Sequence, residues 1–148
     1  MVNMVRYWPS AHTVKTWEGF LKSGARVEGF SKDKKCRVES MQPGDYIIFY
    51  ICIEKKFAGY AKVCSGCFYN DEPRFQKDRF HYRVKIEMIK CLDNTDMVSF
   101  DDIKHELNFY QKHGIKYGVI FNQKPGNLDT SDGIRIISEI DKARGLIG

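Results

Sequence analysis

The sequence predicts a single mixed α/β domain built around a small curved β-sheet of about five or six strands. Three observations predict it. The 148 residues match one domain able to bury a core without disulfides or metals. Several short runs rich in β-branched and aromatic residues are bounded by Pro and Gly turns, which is strand patterning. Between them lie stretches whose apolar residues recur at helical spacing. No internal repeat, low-complexity tract or linker divides the chain, so residues 1–148 read as one domain.

Val2 to Trp8 is the first expected strand, stopped by Pro9. Thr13 caps a helix from Val14 to Ser23, where Val14, Trp17, Phe20 and Leu21 share a periodicity that Gly24 ends. Residues 25–42 alternate poorly and carry Lys32, Lys34, Lys35 and Arg37, the pattern of a basic, partly irregular loop. The turn Met41-Gln42-Pro43-Gly44-Asp45 then leads into a hairpin, Tyr46 to Ile53 and Phe57 to Cys64, closed by Glu54-Lys55-Lys56. Gly59 marks a bend or bulge where the sheet curls. Residues 65–79 form a long polar loop, and Tyr82 to Met88 alternates as a half-buried strand. A short helix over Ser99 to Leu107, a strand over Tyr117 to Phe121 and a turn at Gln123 to Asn127 follow. Thr130 or Ser131 caps the last helix, Gly133 to Lys142, with Ile134, Ile137 and Ile140 on one face, and the tail from Ala143 frays.

Composition narrows the function classes. Hydrophobic residues at 43% and charged residues at 29% are ordinary, but aromatics at 14% are plentiful enough to do more than fill the core, and a net charge of +5 points toward an anionic partner. No apolar run approaches the ~20 residues of a membrane span, no signal-peptide pattern opens the chain, and an odd number of cysteines suits a reducing compartment, so a cytoplasmic protein is expected. Cys64-Ser65-Gly66-Cys67 has the spacing of half a zinc site, but Cys36, Cys91 and His81 supply no second pair, and no metal is expected. The histidines suggest no nucleophile, base and orienting carboxylate, and no Gly-rich phosphate loop is present, so neither catalytic residues nor a cofactor are expected.

The aromatic and basic residues carry more. Trp8, at the end of the first strand, is expected to be half exposed; Trp17 on the first helix and Phe30 in the basic loop are candidates to converge with it into a slot that stacks a base. Lys32, Lys34, Lys35, Arg74, Lys77 and Arg79 gather in or beside two loops, interleaved with Phe75, Phe80 and Tyr82, as phosphate contacts require.

The order of these signals resembles a known family. Tyr7-Trp8, the helix carrying Trp17, Gly29-Phe30, the Met41-to-Asp45 turn into Tyr46-Ile47-Ile48-Phe49-Tyr50, and Phe57-Ala58-Gly59-Tyr60-Ala61-Lys62-Val63 are similar to the EVE domain, which belongs to the PUA-like superfamily and is related to YTH domains. The resemblance implies an α+β fold, a PUA-like small curved β-barrel flanked by helices, whose end pocket binds a flipped, modified base such as methylated cytosine or adenine without reacting with it. It implies Trp8, Trp17 and Phe30 as the aromatic wall, with Ser31 and Asn122 near the base edge. The implied partner is DNA or RNA bearing a modified base; members occur alone and in larger restriction complexes of the McrBC type. One departure stands out, since Glu28 occupies the place before Gly29 where the family commonly has Trp. The rival expectation is an RNA-processing accessory domain, or a small-molecule or protein-interaction module using the same barrel end.

Overall fold

The computed structural model describes residues 4–116 and 126–143. The sheet is organised around the hairpin of β3 (Tyr46–Ile51) and β4 (Lys56–Val63), whose near-continuous apolar sequences suit strands covered on both faces. β1 (Tyr7–His12) lies parallel to β3. β6 (Tyr82–Cys91) runs antiparallel to β4, and β2 (Val27–Phe30) antiparallel to β6, giving the order β1-β3-β4-β6-β2. Two short strands, β5 (Phe68–Tyr69) on β6 and β7 (Val98–Ser99) on β4, bring the sheet to seven strands among the described residues, and it curls into a half-barrel. The bend falls where the sequence places it: Gly59 has φ 156°, a Cβ there would lie 2.2 Å from the Lys90 carbonyl oxygen, and the β3–β4 register shifts beside it.

Because side chains alternate across a strand, the sheet builds two apolar clusters. Trp8, Ile47, Phe49 and Val84 pack on one face with Trp17 and Phe20 of α1 (Val14–Lys22) and Val38 of α2 (Lys35–Ser40). Ile48, Tyr50 and Tyr60 pack on the other with Phe100 of α3 (Phe100–Ile103), Phe109 of α4 (Asn108–His113), and Ile136 and Ile140 of α5 (Thr130–Lys142).

Several elements depart from the expected boundaries. β1 runs through Pro9 to His12 because the Arg6 and His12 carbonyls accept from Tyr46 and Cys52 N–H, so even positions face β3 and the nitrogen that lacks a proton falls on the open edge. The expected loop at 25–42 holds β2, a 3-10 turn (Lys32–Lys34) and α2; buried Glu28 and Arg37 interrupt the apolar pattern that would have announced them. The Ser99-to-Leu107 helix is α3 followed by a 3-10 turn, Lys104–Glu106, and β5 lies within the loop expected at 65–79. α5 starts at Thr130, with Asp129 as its cap residue, and buries Gly133, Ile136 and Ile140, whereas Ile134 is 54% exposed. The strand expected at 117–121 lies outside the described residues.

Candidate functional site

Among the described residues, β1 and β2 end the strand order and share no backbone ladder, so the half-barrel is unclosed between them beyond the Tyr7–Leu128 bridge at the start of β1. Side chains bridge the gap. Glu28 of β2 is fully buried; the Ser10 hydroxyl donates to its Oε2 at 2.9 Å and His12 Nε2 meets the same oxygen at 2.7 Å, while the Gly29 N–H donates to Oε1 at 3.0 Å. Arg74 Nη1 approaches Oε1 at 3.9 Å. Burial, the largest influence on this carboxyl, would raise its pKa, but the charge and hydrogen bond of His12, the Arg74 guanidinium and the Gly29 N–H together hold it below the usual value.

Beside this bridge lies a cavity of about 90 Å³. Ser10, Ala11 and His12 form one wall, Gly29, Phe30 and Ser31 the other, and Lys34, Arg37 and Phe80 complete the lining. Since even positions of β1 bond to β3, the Ala11 amide and carbonyl fall on the open edge. Arg37 is buried and donates from Nη1 to the Pro9 carbonyl at 3.3 Å; burial lowers its pKa, with Asp33 opposing. The Ser31 hydroxyl donates to Asp33.

Phe80 reaches the cleft through a clamp. Asp78 accepts from Arg74 Nε at 2.8 Å, from Arg83 Nη2 at 3.0 Å and from the Phe80 N–H at 3.0 Å, while Arg74 Nη1 donates to the Val27 carbonyl at 2.6 Å. Burial would raise the Asp78 pKa, yet the bonds from Arg74 and from backbone N–H groups keep it low. The clamp presses the loop so closely on β2 that a Cβ at Gly29 would lie 2.5 Å from the Phe80 carbonyl oxygen.

The expected site residues divide. Trp8, expected half exposed, is 0% exposed: its Nε1 donates to Asp45 Oδ2 at 2.9 Å, tying the ring inside the core to the turn before β3. Trp17, 3% exposed, packs against His12, Phe20 and Phe49. Phe30 belongs to the same cluster as both tryptophans, and of the three rings it is the one that lines the cleft, together with Ser31. Asn122 lies outside the described residues. Arg74 is no mobile cation, because the clamp occupies its guanidinium. Lys32, Lys35, Lys77 and Arg79 are exposed, and Lys34 on the rim sits 3.6 Å from Asp33. Sequence reasoning missed Ser10 and His12 and named Arg37 and Phe80 only as members of the basic loops; the Arg74-to-Asp78 spacing was the one local signal of the clamp. No group of His, Cys, Asp or Glu among the described residues could hold a metal ion, all five cysteines are free, and no described helix is long and apolar enough to cross a membrane.

Comparison with curated protein sequences gives no match. Among solved structures it is similar to the YTH domain-containing protein mmi1 in complex with RNA, with a TM-score of 0.67 and 20% identity over 93% of this chain and 82% of that one. A Toxoplasma CPSF4-YTH domain aligns with a TM-score of 0.70 and 10% identity over 96% and 89% of the two chains. A hypothetical protein from Leishmania major gives 0.62 and 14% identity over 94% and 96%. These likenesses establish a shared fold, and the EVE domain family model matches residues 8–120. With most of its length covered by that model, the chain belongs to the EVE domain family.

Proposed function

We propose that this EVE domain is a non-catalytic nucleic-acid reader that seats one everted, modified base in the cleft between β1 and β2. The observation that carries the reading is the unclosed seam itself, with the Phe30 ring on one wall and the open edge of β1 on the other. A fold shared with a YTH domain solved with RNA supports it. Stacking on an aromatic ring contributes about 1 to 3 kcal/mol per base, comparable to the few kcal/mol needed to take a base out of its stack. The closed cavity is smaller than the roughly 150 Å³ that holds a benzene ring, so the Phe80 and Lys34 side chains swing aside as the base enters.

Ser31, the Ala11 backbone and Arg37 are the groups that read the base edge in this proposal, with Asn122 as a further polar contact, while Trp8 and Trp17 belong to the core cluster that Phe30 shares. Lys32, Lys35, Lys77 and Arg79 hold phosphates and make affinity salt-dependent. A methyl group on the base adds about 0.8 kcal/mol on burial, about a fourfold preference from this source alone. Ser10 and His12 both turn to Glu28, and Ser10 does not donate to His12, an arrangement that activates no nucleophile and favours binding over reaction.

Titration of fluorescent DNA and RNA, single-stranded and duplex, at two salt concentrations tests this. Binding that weakens with salt and falls about tenfold in Phe30→Leu is expected. No binding, or binding indifferent to salt, rejects it.

A further inference from the structure

A second aromatic surface lies on the other side of the sheet. Tyr7 points away from the face that carries Trp8, Ser10 and His12, and its ring stacks on Tyr46 with centroids 5.7 Å apart and planes 17° from parallel. Tyr46 meets Tyr60 edge-on at 6.0 Å. These rings floor a groove of about 470 Å³ whose wall is α5, through Ile134, Ile137, Ser138 and Asp141. Tyr7 and Tyr46 are only half-buried, and Ile134 is among the most exposed apolar side chains of the helix, so flat apolar surface meets solvent here.

Charge completes the pattern. Lys142 lines the groove, and Lys62, paired in register with Tyr46, projects to the same face and is exposed. The Tyr60 hydroxyl donates to Asp141 Oδ1 at 2.9 Å, and burial, that bond and the nearby charges push its pKa up to about 12, so it stays a neutral donor fixed to α5. A stacked, half-open ring pair flanked by two exposed lysines, of which Lys142 lies 3.7 Å from Glu139, is what an unpaired base and its phosphates require, since every base has a face to stack and every nucleotide a charge.

We infer that the Tyr7–Tyr46–Tyr60 groove is a second, sequence-tolerant subsite that stacks an unpaired base of single-stranded nucleic acid, with Lys62 and Lys142 on its phosphates. The inference rests on the reading that the domain binds nucleic acid, but the groove is separate from the cleft. Competition between the two sites is therefore not expected.

Tyr46→Leu, Tyr46→Phe and Lys142→Ala, each checked for an unchanged thermal unfolding curve, are titrated with short fluorescein-labelled single strands of RNA and of DNA, with and without a methylated base. Tyr46→Leu is expected to weaken binding of both strands about tenfold and leave their ratio intact, Tyr46→Phe to retain wild-type affinity, and Lys142→Ala to lower the salt slope by about one phosphate contact. Phe30→Leu should instead lower the ratio of methylated to unmethylated affinity, which Tyr46→Leu leaves unchanged. If Tyr46→Leu and Lys142→Ala bind as the wild type does, the groove is structural and the inference falls alone. If the wild-type domain binds neither nucleic acid, the inference falls together with the proposed function.

Discussion

Glu28 occupies the position where an aromatic ring was expected, and its burial changes what that position does. The carboxylate joins the two terminal strands, accepting from Ser10 and Gly29 and pairing with His12. Nothing near Glu28 in sequence announces this, because Ser10 and His12 are 18 and 16 residues away and Arg74 is further still. Removing one member of a buried charged network leaves the others unsatisfied, so Glu28→Gln is expected to lower stability by about 3 kcal/mol in denaturant unfolding at neutral pH. The pH dependence has a fixed sign. The folded pKa values of Glu28 and Asp78 lie below their unfolded ones, so the stability they supply is present above about pH 4 and is lost as pH falls through the lowered values. The gap between wild type and Glu28→Gln should therefore narrow on acidification, which unfolding curves recorded across that range would reveal. Trp8 teaches a complementary lesson: a large ring beside a proline suggested a strand end, but the strand continues and the ring turns inward to Asp45.

At the scale of elements, legibility follows the turns. β3 and β4 were plain in the sequence because Pro43-Gly44 and Glu54-Lys55-Lys56 bracket two apolar runs, and α1 because Thr13 caps it and Trp17 and Phe20 recur on its buried side. β2 and α2 were not, since each buries a charge whose partner comes from elsewhere in the chain. The sequence of the loop between β5 and β6 predicts a long polar loop, yet Asp78 and two arginines fasten it to β2. Two predictions belong here. Gly29→Ala would force a Cβ against the Phe80 backbone and the Arg74 guanidinium, so both stability and base affinity should fall, read by thermal unfolding and by titration of the same sample. Arg74→Ala should destabilise the fold, whereas Lys77→Ala and Arg79→Ala should leave the unfolding midpoint unchanged and each reduce the salt slope of binding by about one contact. Equal stability loss in all three would contradict the division between clamp and phosphate ligands.

For the whole molecule, the order of motifs from Tyr7 to the last helix was enough to identify an α+β half-barrel of the EVE type, because each motif marks a turn or a packed ring that the fold needs. The place of the site was not, because it arises from what the sheet leaves undone: β1 and β2 are distant in pairing order, and only curling brings their edges to one cleft. The central claim is that a base occupies this seam. It is tested most directly by following backbone amide resonances while a short single strand carrying a methylated base is titrated into the domain. A base seated between the strands shifts the amides of Ser10, Ala11, Gly29 and Ser31 to saturation in the wild type and only part of the way in Phe30→Leu at the same concentration. Saturable binding that leaves those four amides unchanged in the wild-type domain would contradict it.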